Sequence, residues 1–164
     1  MNCIAIIPAG GKGLRSGLTT PKQYLKVNGK EIIVYTLQAF QKNKLINKII
    51  VAAEQDYFSL LIKLVKKYKI TKVELIVEGG KTRQHSVFNA VLSSDANDND
   101  LLVVHDAARA LLPENVLTNS ILLAKRIGNA LVCIKAKDTL IKGKKIVDEY
   151  LNRDEVYIII SQAT

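Results

Sequence analysis

Three short stretches of this sequence combine glycine with charged residues in ways that suit phosphate chemistry. The first, Pro8-Ala9-Gly10-Gly11-Lys12-Gly13-Leu14-Arg15-Ser16-Gly17, follows an apolar run. Glycines let backbone N–H groups approach a phosphate closely and tolerate positive φ. The loop is not a P-loop, because no Gly-Lys-Ser/Thr triplet follows at the right spacing. Nor is it a dinucleotide fingerprint, since Ser16 stands where the third glycine belongs. A tight turn needing only small residues would read the same way. Two cations add to it: Arg15 closes the loop, and Lys22 follows in Thr20-Pro21-Lys22-Gln23-Tyr24, with Pro21 stiffening the segment. Together they suit a triphosphate whose α-phosphorus becomes pentacoordinate, both acting as electrostatic clamps and neither as a nucleophile.

The second stretch is Glu78-Gly79-Gly80-Lys81-Thr82-Arg83-Gln84-His85-Ser86-Val87. Gly79 and Gly80 can present backbone groups to a base edge, and Ser86 sits near a helix N-terminus. His85 has no evident acid–base partner and reads as a solvent-facing or capping residue. The third is Val104-His105-Asp106-Ala107-Ala108-Arg109, directly after a buried run. An aspartate at the carboxyl end of a strand is placed to hold Mg²⁺, ribose hydroxyls or an incoming substrate. Arg109 would serve a second phosphate. An N-capping Asp106 with a local Asp–Arg pair is the plainer alternative.

Elements of alternating type must position these loops. Short β-branched runs occur at Ile4–Ile7, Lys48–Ala52, Val73–Val77, Leu101–Val104 and Ala130–Ile134, apolar throughout as expected of strands covered on both faces. Helical spacing marks Glu31–Phe40, Tyr57–Tyr68, Ser86–Leu92 and about Pro113 to Ile127, with Pro113 in the first turn. This alternation predicts an α/β sandwich on a mainly parallel sheet. Right-handed crossovers gather the post-strand loops along one sheet edge, where ligands bind in open α/β folds. From Lys135 to Asp148 the pattern becomes two short strands around a glycine-containing turn, either a protruding arm or a simple edge hairpin.

The 164 residues, 48% of them hydrophobic, suit one domain, residues 1–164. No apolar run approaches the ~20 residues of a membrane span, and Met1-Asn2 leads straight into the first run without a basic leader, so a soluble intracellular protein is expected. Cys3 and Cys133 lie in apolar runs without metal-ligand spacing and read as buried free thiols. A formal charge of +9, from 24 Lys+Arg against 15 Asp+Glu, favours anionic partners. Aromatic residues are only 5%, with no Trp, which argues against a nucleic-acid surface.

In order and spacing, these loops resemble the 2-C-methyl-D-erythritol 4-phosphate cytidylyltransferase family of the non-mevalonate isoprenoid pathway. The matching stretches are Pro8 to Arg15, Pro21-Lys22-Gln23-Tyr24-Leu25, Gly79-Gly80 through Arg83 with Ser86-Val87, and His105-Asp106-Ala107-Ala108-Arg109. Asp138-Thr139 and Asn152-Arg153 match as well, so the likeness spans essentially the whole chain. It implies a Rossmann-like three-layer sandwich with a protruding β-arm, about residues 135–153, that builds a homodimer. It implies CTP over the first loop against Ala9, Gly10, Gly11 and Gly13, cytosine selection by Gly80 and Ser86, and Asp106 with Ala107 near ribose and substrate. Arg15 and Lys22 would stabilise the pentacoordinate phosphorus, with Mg²⁺ on the triphosphate and Asp106 as its candidate protein ligand. Arg109, Thr139 and the partner subunit's Arg153 would meet the sugar-alcohol phosphate. The setting implied is the cytoplasm, or the plastid stroma in a plastid-bearing source.

Two departures stand out. Ala110 replaces the proline usual after Arg109. The chain also reads Ile158-Ile159-Ile160-Ser161-Gln162-Ala163-Thr164 where the family has Gln-Thr-Pro-Gln and then continues through a further helix and strand region. The resemblance therefore implies a C-terminally shortened copy lacking part of the substrate pocket. Ribitol 5-phosphate cytidylyltransferases share the fold and loops and are the alternative, but Ala107-Ala108 after Asp106 and Ser86-Val87 look more like the methylerythritol enzyme. An inactive CTP-binding homologue is the reading of a different class.

Overall fold

The computed structural model describes residues 1–11 and 20–163. Strand β1 (Cys3–Pro8) opens the chain, and β2 (Lys26–Val27) and β3 (Lys30–Glu31) form a small hairpin. Its Asn28-Gly29 turn has φ of 50° and 74°. Paired positive φ values twist the hairpin as its strands require, which is why Asn-Gly serves here. Helix α1 (Ile32–Lys42) then leads to β4 (Lys48–Ala53), α2 (Phe58–Lys67), β5 (Val73–Glu78), α3 (Arg83–Leu92) and β6 (Leu101–Val104). After α4 (Glu114–Ile127) come β7 (Ala130–Lys135), β8 (Leu140–Gly143), β9 (Val147–Leu151) and β10 (Tyr157–Ala163).

The main sheet has the order β5-β4-β1-β6-β10-β7. Strands β5, β4, β1 and β6 run parallel, while β10 is antiparallel to both β6 and β7. The expected mainly parallel α/β sheet is therefore the one observed. Residues of β1 divide by parity: Cys3, Ala5 and Ile7 join the core beneath α1, α2 and α4, whereas Ile4 and Ile6 pack with α3 on the other face. Alternate side chains of a strand point to opposite faces, so a strand buried on both sides must be apolar at every position. Helix α1 buries Ile33, Val34, Leu37 and Phe40, a single stripe at helical spacing.

Three details differ from the sequence reading. Helix α3 begins at Arg83, not Ser86, because the Thr82 hydroxyl accepts a bond from the His85 backbone N–H at 3.2 Å and caps the helix. Strand β10 was not anticipated. It inserts between β6 and β7, a non-consecutive pairing that no local pattern specifies. Cys3 is buried as expected, but Cys133 is exposed. It lies on edge strand β7, and α3, the helix of the second face, packs over β1, β4 and β5 instead. Leu131, two residues before it on the same face, is likewise 53% exposed.

Candidate active site

The carboxyl ends of β1, β5 and β6 open into one cleft of about 490 Å³. It is lined by Ala9, Gly10 and Gly11 from the first loop, Lys22 and Gln23 from the next segment, and Gly80 to Arg83 with Ser86 from the second. Glu54 and Asp106 to Ala108 complete the wall. Of the residues expected in a site, Ala9, Gly10, Gly11, Lys22, Gly80, Ser86, Asp106 and Ala107 are gathered here. Gly13 and Arg15 lie outside the described residues. Thr139 and Arg153 do not line the cleft. Both are exposed on or beside the β8–β9 hairpin, Arg153 in a turn closed by the Glu155 N–H to Asn152 carbonyl bond of 3.0 Å.

The first loop is held from below. The Ala9 N–H donates to the Ala52 carbonyl at 2.6 Å, continuing the β1–β4 ladder. Gln23, on a 3₁₀ turn spanning Lys22–Tyr24, is buried and donates from Nε2 to the carbonyls of Ala9 (2.5 Å) and Gly11 (3.2 Å). Tyr24 reaches the same Ala9 carbonyl at 3.4 Å and stacks on Tyr57 with ring centroids 3.9 Å apart. Burial first, then the neighbouring Tyr57 and Glu54, push its hydroxyl pKa upward, so it stays a neutral donor. Lys22, on the same turn, is left exposed at the cleft rim. Sequence reasoning found Lys22 and passed over Gln23. The signal was its position one residue from a glycine-loop cation, where a buried amide can tie loop carbonyls that no strand satisfies.

Ser86 is the internal tie of the second loop. It is 2% exposed, and its hydroxyl donates to the Thr82 carbonyl (3.0 Å) while accepting from the Gly80 N–H (3.0 Å). A Cβ at Gly79 would stand 3.2 Å from that hydroxyl, and one at Gly10 3.4 Å. At Gly80 a Cβ would collide with that of His85. Glycine at position 80 is thus imposed by close approach. The Ser86 hydroxyl fixes the shape of the Gly79–Gly80 backbone and lies close against Gly10 of the first loop. His85 itself is exposed.

Asp106 is the hub of the third loop. Arg83 Nε donates to its Oδ1 at 2.8 Å and Arg109 Nε to its Oδ2 at 2.9 Å. The carboxylate caps no helix. It opens a turn in which the Arg109 N–H donates to its carbonyl at 3.0 Å. The local Asp–Arg pair weighed from sequence is present, and Arg83 is the addition. Burial alone would raise the Asp106 pKa, but the two guanidiniums outweigh it and hold the carboxyl below its usual range. His105, buried beneath, has Nε2 2.9 Å from the Arg109 carbonyl; a carbonyl only accepts, so Nε2 carries the proton. Burial keeps this imidazole neutral by lowering its pKa. The Ala107 N–H donates to Pro8 (3.3 Å), and its carbonyl accepts from the buried Thr36 hydroxyl (2.9 Å), so all three loops are bonded into one wall.

Backbone N–H groups, glycines and the cations Lys22, Lys81 and Arg83 lining one cleft suit a nucleoside triphosphate. The chain is similar to several known proteins. A Streptococcus agalactiae protein named ribitol-5-phosphate cytidylyltransferase is 34% identical over 160 residues, 94% of this chain and 67% of that protein. A Clostridium perfringens protein named 2-C-methyl-D-erythritol 4-phosphate cytidylyltransferase is 41% identical over 140 residues, 84% of this chain and 60% of that one. The crystal structure of the Francisella tularensis 2-C-methyl-D-erythritol 4-phosphate cytidylyltransferase superposes with a TM-score of 0.79 at 30% identity, covering 100% of this chain and 72% of that one. That of 4-diphosphocytidyl-2C-methyl-D-erythritol synthase from Anaerococcus prevotii gives 0.80 at 28%, covering 99% and 69%. The chain thus spans 60–67% of the length of these curated relatives. The profile of IspD, 2-C-methyl-D-erythritol 4-phosphate cytidylyltransferase, matches residues 3–162, and to that family of nucleotidyltransferases this chain belongs.

Proposed function

We propose that this chain, as one nucleotidyltransferase domain, transfers the cytidylyl group of CTP to 2-C-methyl-D-erythritol 4-phosphate. The products would be 4-diphosphocytidyl-2-C-methyl-D-erythritol and pyrophosphate. The observation that carries the reading is the convergence of three loops on one cleft lined by backbone groups and cations. A phosphate oxygen of the acceptor attacks the α-phosphorus in line, the new P–O bond forms, and the α–β bridging bond breaks. The attacking oxygen is already anionic, so no strong general base is required. Lys22 and Arg15 neutralise charge on the pentacoordinate phosphorus. The Gly79–Gly80 backbone, held by Ser86, faces the base, and Asp106 with Ala107 faces the ribose. Arg109 takes the acceptor phosphate.

The donor set fits Mg²⁺ arriving on the triphosphate. Among the described residues no three His, Cys, Asp or Glu side chains come together to hold an ion alone. Magnesium on nucleotides commonly uses only one or two carboxylates beside phosphate oxygens, and Asp106 is the candidate here. When bound, it would offset charge on the leaving pyrophosphate.

Residues 135–153 are read as a dimerisation arm that carries Thr139 and Arg153 to the acceptor site of a second copy. Support comes from its exposed apolar side chains, Ile146 at 77% and Tyr150 at 72%, whose cover by a second copy would remove apolar surface from water. A cytoplasmic or plastid-stroma setting accompanies this reading. Among the described residues no helix is long and apolar enough to cross a membrane.

Ribitol 5-phosphate is the second reading, favoured by the Streptococcus agalactiae relative. Pyrophosphate release from CTP and Mg²⁺, measured with each acceptor in turn, separates the two. Release with methylerythritol phosphate that disappears in Arg15→Ala is expected. Faster release with ribitol 5-phosphate would reassign the acceptor, and CTP binding without release from either would leave a silent nucleotide-binding homologue.

A further inference from the structure

The carbonyls of Ala9 and Gly11 stand just past the end of β1. The Ala9 N–H still bonds to the Ala52 carbonyl, and from there on the first loop has carbonyls that no strand satisfies. Gln23 takes two of them, with Nε2 2.5 Å from the Ala9 oxygen and 3.2 Å from that of Gly11. A primary amide carries two hydrogens on one nitrogen, so a single side chain has a donor for each carbonyl. At 6% exposure it keeps little surface for a ligand. The Tyr24 hydroxyl, 3.4 Å from the Ala9 oxygen, is the more distant partner.

In a trans peptide the C=O and N–H point to opposite sides of the chain, and no peptide bond is cis among the described residues. Holding the Ala9 oxygen on the Gln23 side therefore turns the Gly10 N–H away from Gln23. Lys22 precedes Gln23 on a short turn that closes on itself. The Tyr24 N–H donates to the Pro21 carbonyl at 2.9 Å and the Leu25 N–H to the Lys22 carbonyl at 3.2 Å. Pro21, with φ of −59°, opens the turn, and its ring fixes that angle. In so stiff a segment, anchoring Gln23 also places the backbone of Lys22.

We propose that Gln23 is a positioning residue: its amide locks the Ala9–Gly10 peptide with the N–H presented to the triphosphate, and keeps Lys22 in register with that N–H. The inference rests on the cytidylyl-transfer reading and adds to it a residue that acts on the reaction without touching substrate. Gly10 and Lys22 line the same cleft, and a donor and a cation that meet one phosphate must hold their spacing before it arrives. Without Gln23 the Ala9–Gly10 peptide would rotate to find water, and the lysine would lose its reference to the loop. A misplacement of about 1 Å costs on the order of 10²-fold in rate.

The test is a double-substitution cycle on pyrophosphate release from CTP, Mg²⁺ and methylerythritol phosphate. Gln23→Met fills nearly the same space with no donor, and should lower kcat about 10²-fold; kcat retained in this variant would show that filling the space suffices and overturn the proposal. In a Lys22→Ala background the same change should cost less than about fivefold, because little is left to align. Equal losses in the two backgrounds would also overturn it, since a merely structural defect adds independently. No release from the unmodified chain would strike the transfer reading instead, and calorimetry with CTP then reads the loop by itself. There Gln23→Met should weaken binding about tenfold, and an unchanged affinity would sink the proposal. An unmodified chain that binds no CTP would take down both.

Discussion

The cleft and the β8–β9 arm occupy opposite extremes of the same chain. In the cleft, Ala9, Ser86 and Ala107 are 2–3% exposed, and loop carbonyls and amides find partners among Gln23, Ser86, Pro8 and Thr36. In the arm every residue from Ile141 to Tyr150 is exposed, and an antiparallel pairing of two strands carries its structure. Two-stranded hairpins are marginal alone in water. A region built to hold a charged transition state must be rigid before substrate arrives, since preorganised dipoles need no reorganisation during reaction. An exposed hairpin has no such requirement.

The contrast is sharpest if substitutions in the cleft alter chemistry while those in the arm alter only association. The largest expected effect is from Lys22→Ala, a loss of roughly 10²–10³-fold in kcat. Its thermal midpoint should barely move, because the side chain is exposed; a midpoint that drops with activity would make Lys22 structural. Next is Gly80→Ala, which places a Cβ against His85. Overpacking of this kind costs about 1–3 kcal/mol, readable in urea unfolding, with CTP affinity falling alongside. Ser86→Ala should cost a similar or smaller amount, about 1–3 kcal/mol, as the Gly80 N–H loses its acceptor. Activity unchanged in both variants would remove the second loop from the site.

His105 supplies a pH test of the same rigidity. Burial lowers its folded pKa below the usual value, so the unfolded chain binds more protons just under the ordinary histidine range. Stability is therefore full above about pH 6.5 and declines as pH falls toward the folded pKa. His105→Asn should flatten that decline in melting curves between pH 7 and pH 5; an unaltered slope would assign it elsewhere. The smallest effect on stability belongs to the arm. Tyr150→Ser with Ile146→Ser should change unfolding free energy by no more than about 0.5 kcal/mol, yet shift light scattering from dimer toward monomer. Scattering identical to that of the unmodified chain would break the dimer reading.

Much of this arrangement was legible in the sequence. Cys3 to Pro8 is apolar at every position, and a strand so composed must be covered on both faces. The helical stripe of α1 and the glycine loops after β1 and β5 are local patterns as well, and so is Asp106 at the end of β6. What stayed hidden depended on residues distant in the chain. Gln23 is an ordinary polar residue until Ala9 and Gly11 offer it carbonyls. Arg83 has no role of its own in the sequence until Asp106 meets its guanidinium, and the bonds of the Ser86 hydroxyl to Gly80 and Thr82 are likewise set by the fold.

Sequence alone thus determined the element types, the side of the sheet where the loops gather, and the residue classes able to meet a triphosphate. Those follow from periodicity, glycine chemistry and charge, which are properties of short segments. Tertiary structure decided that β10 lies between β6 and β7, that Cys133 faces solvent, and that one carboxylate joins two arginines 26 positions apart. These outcomes depend on pairings between separated segments, whose energies arise only once the chain has brought them together.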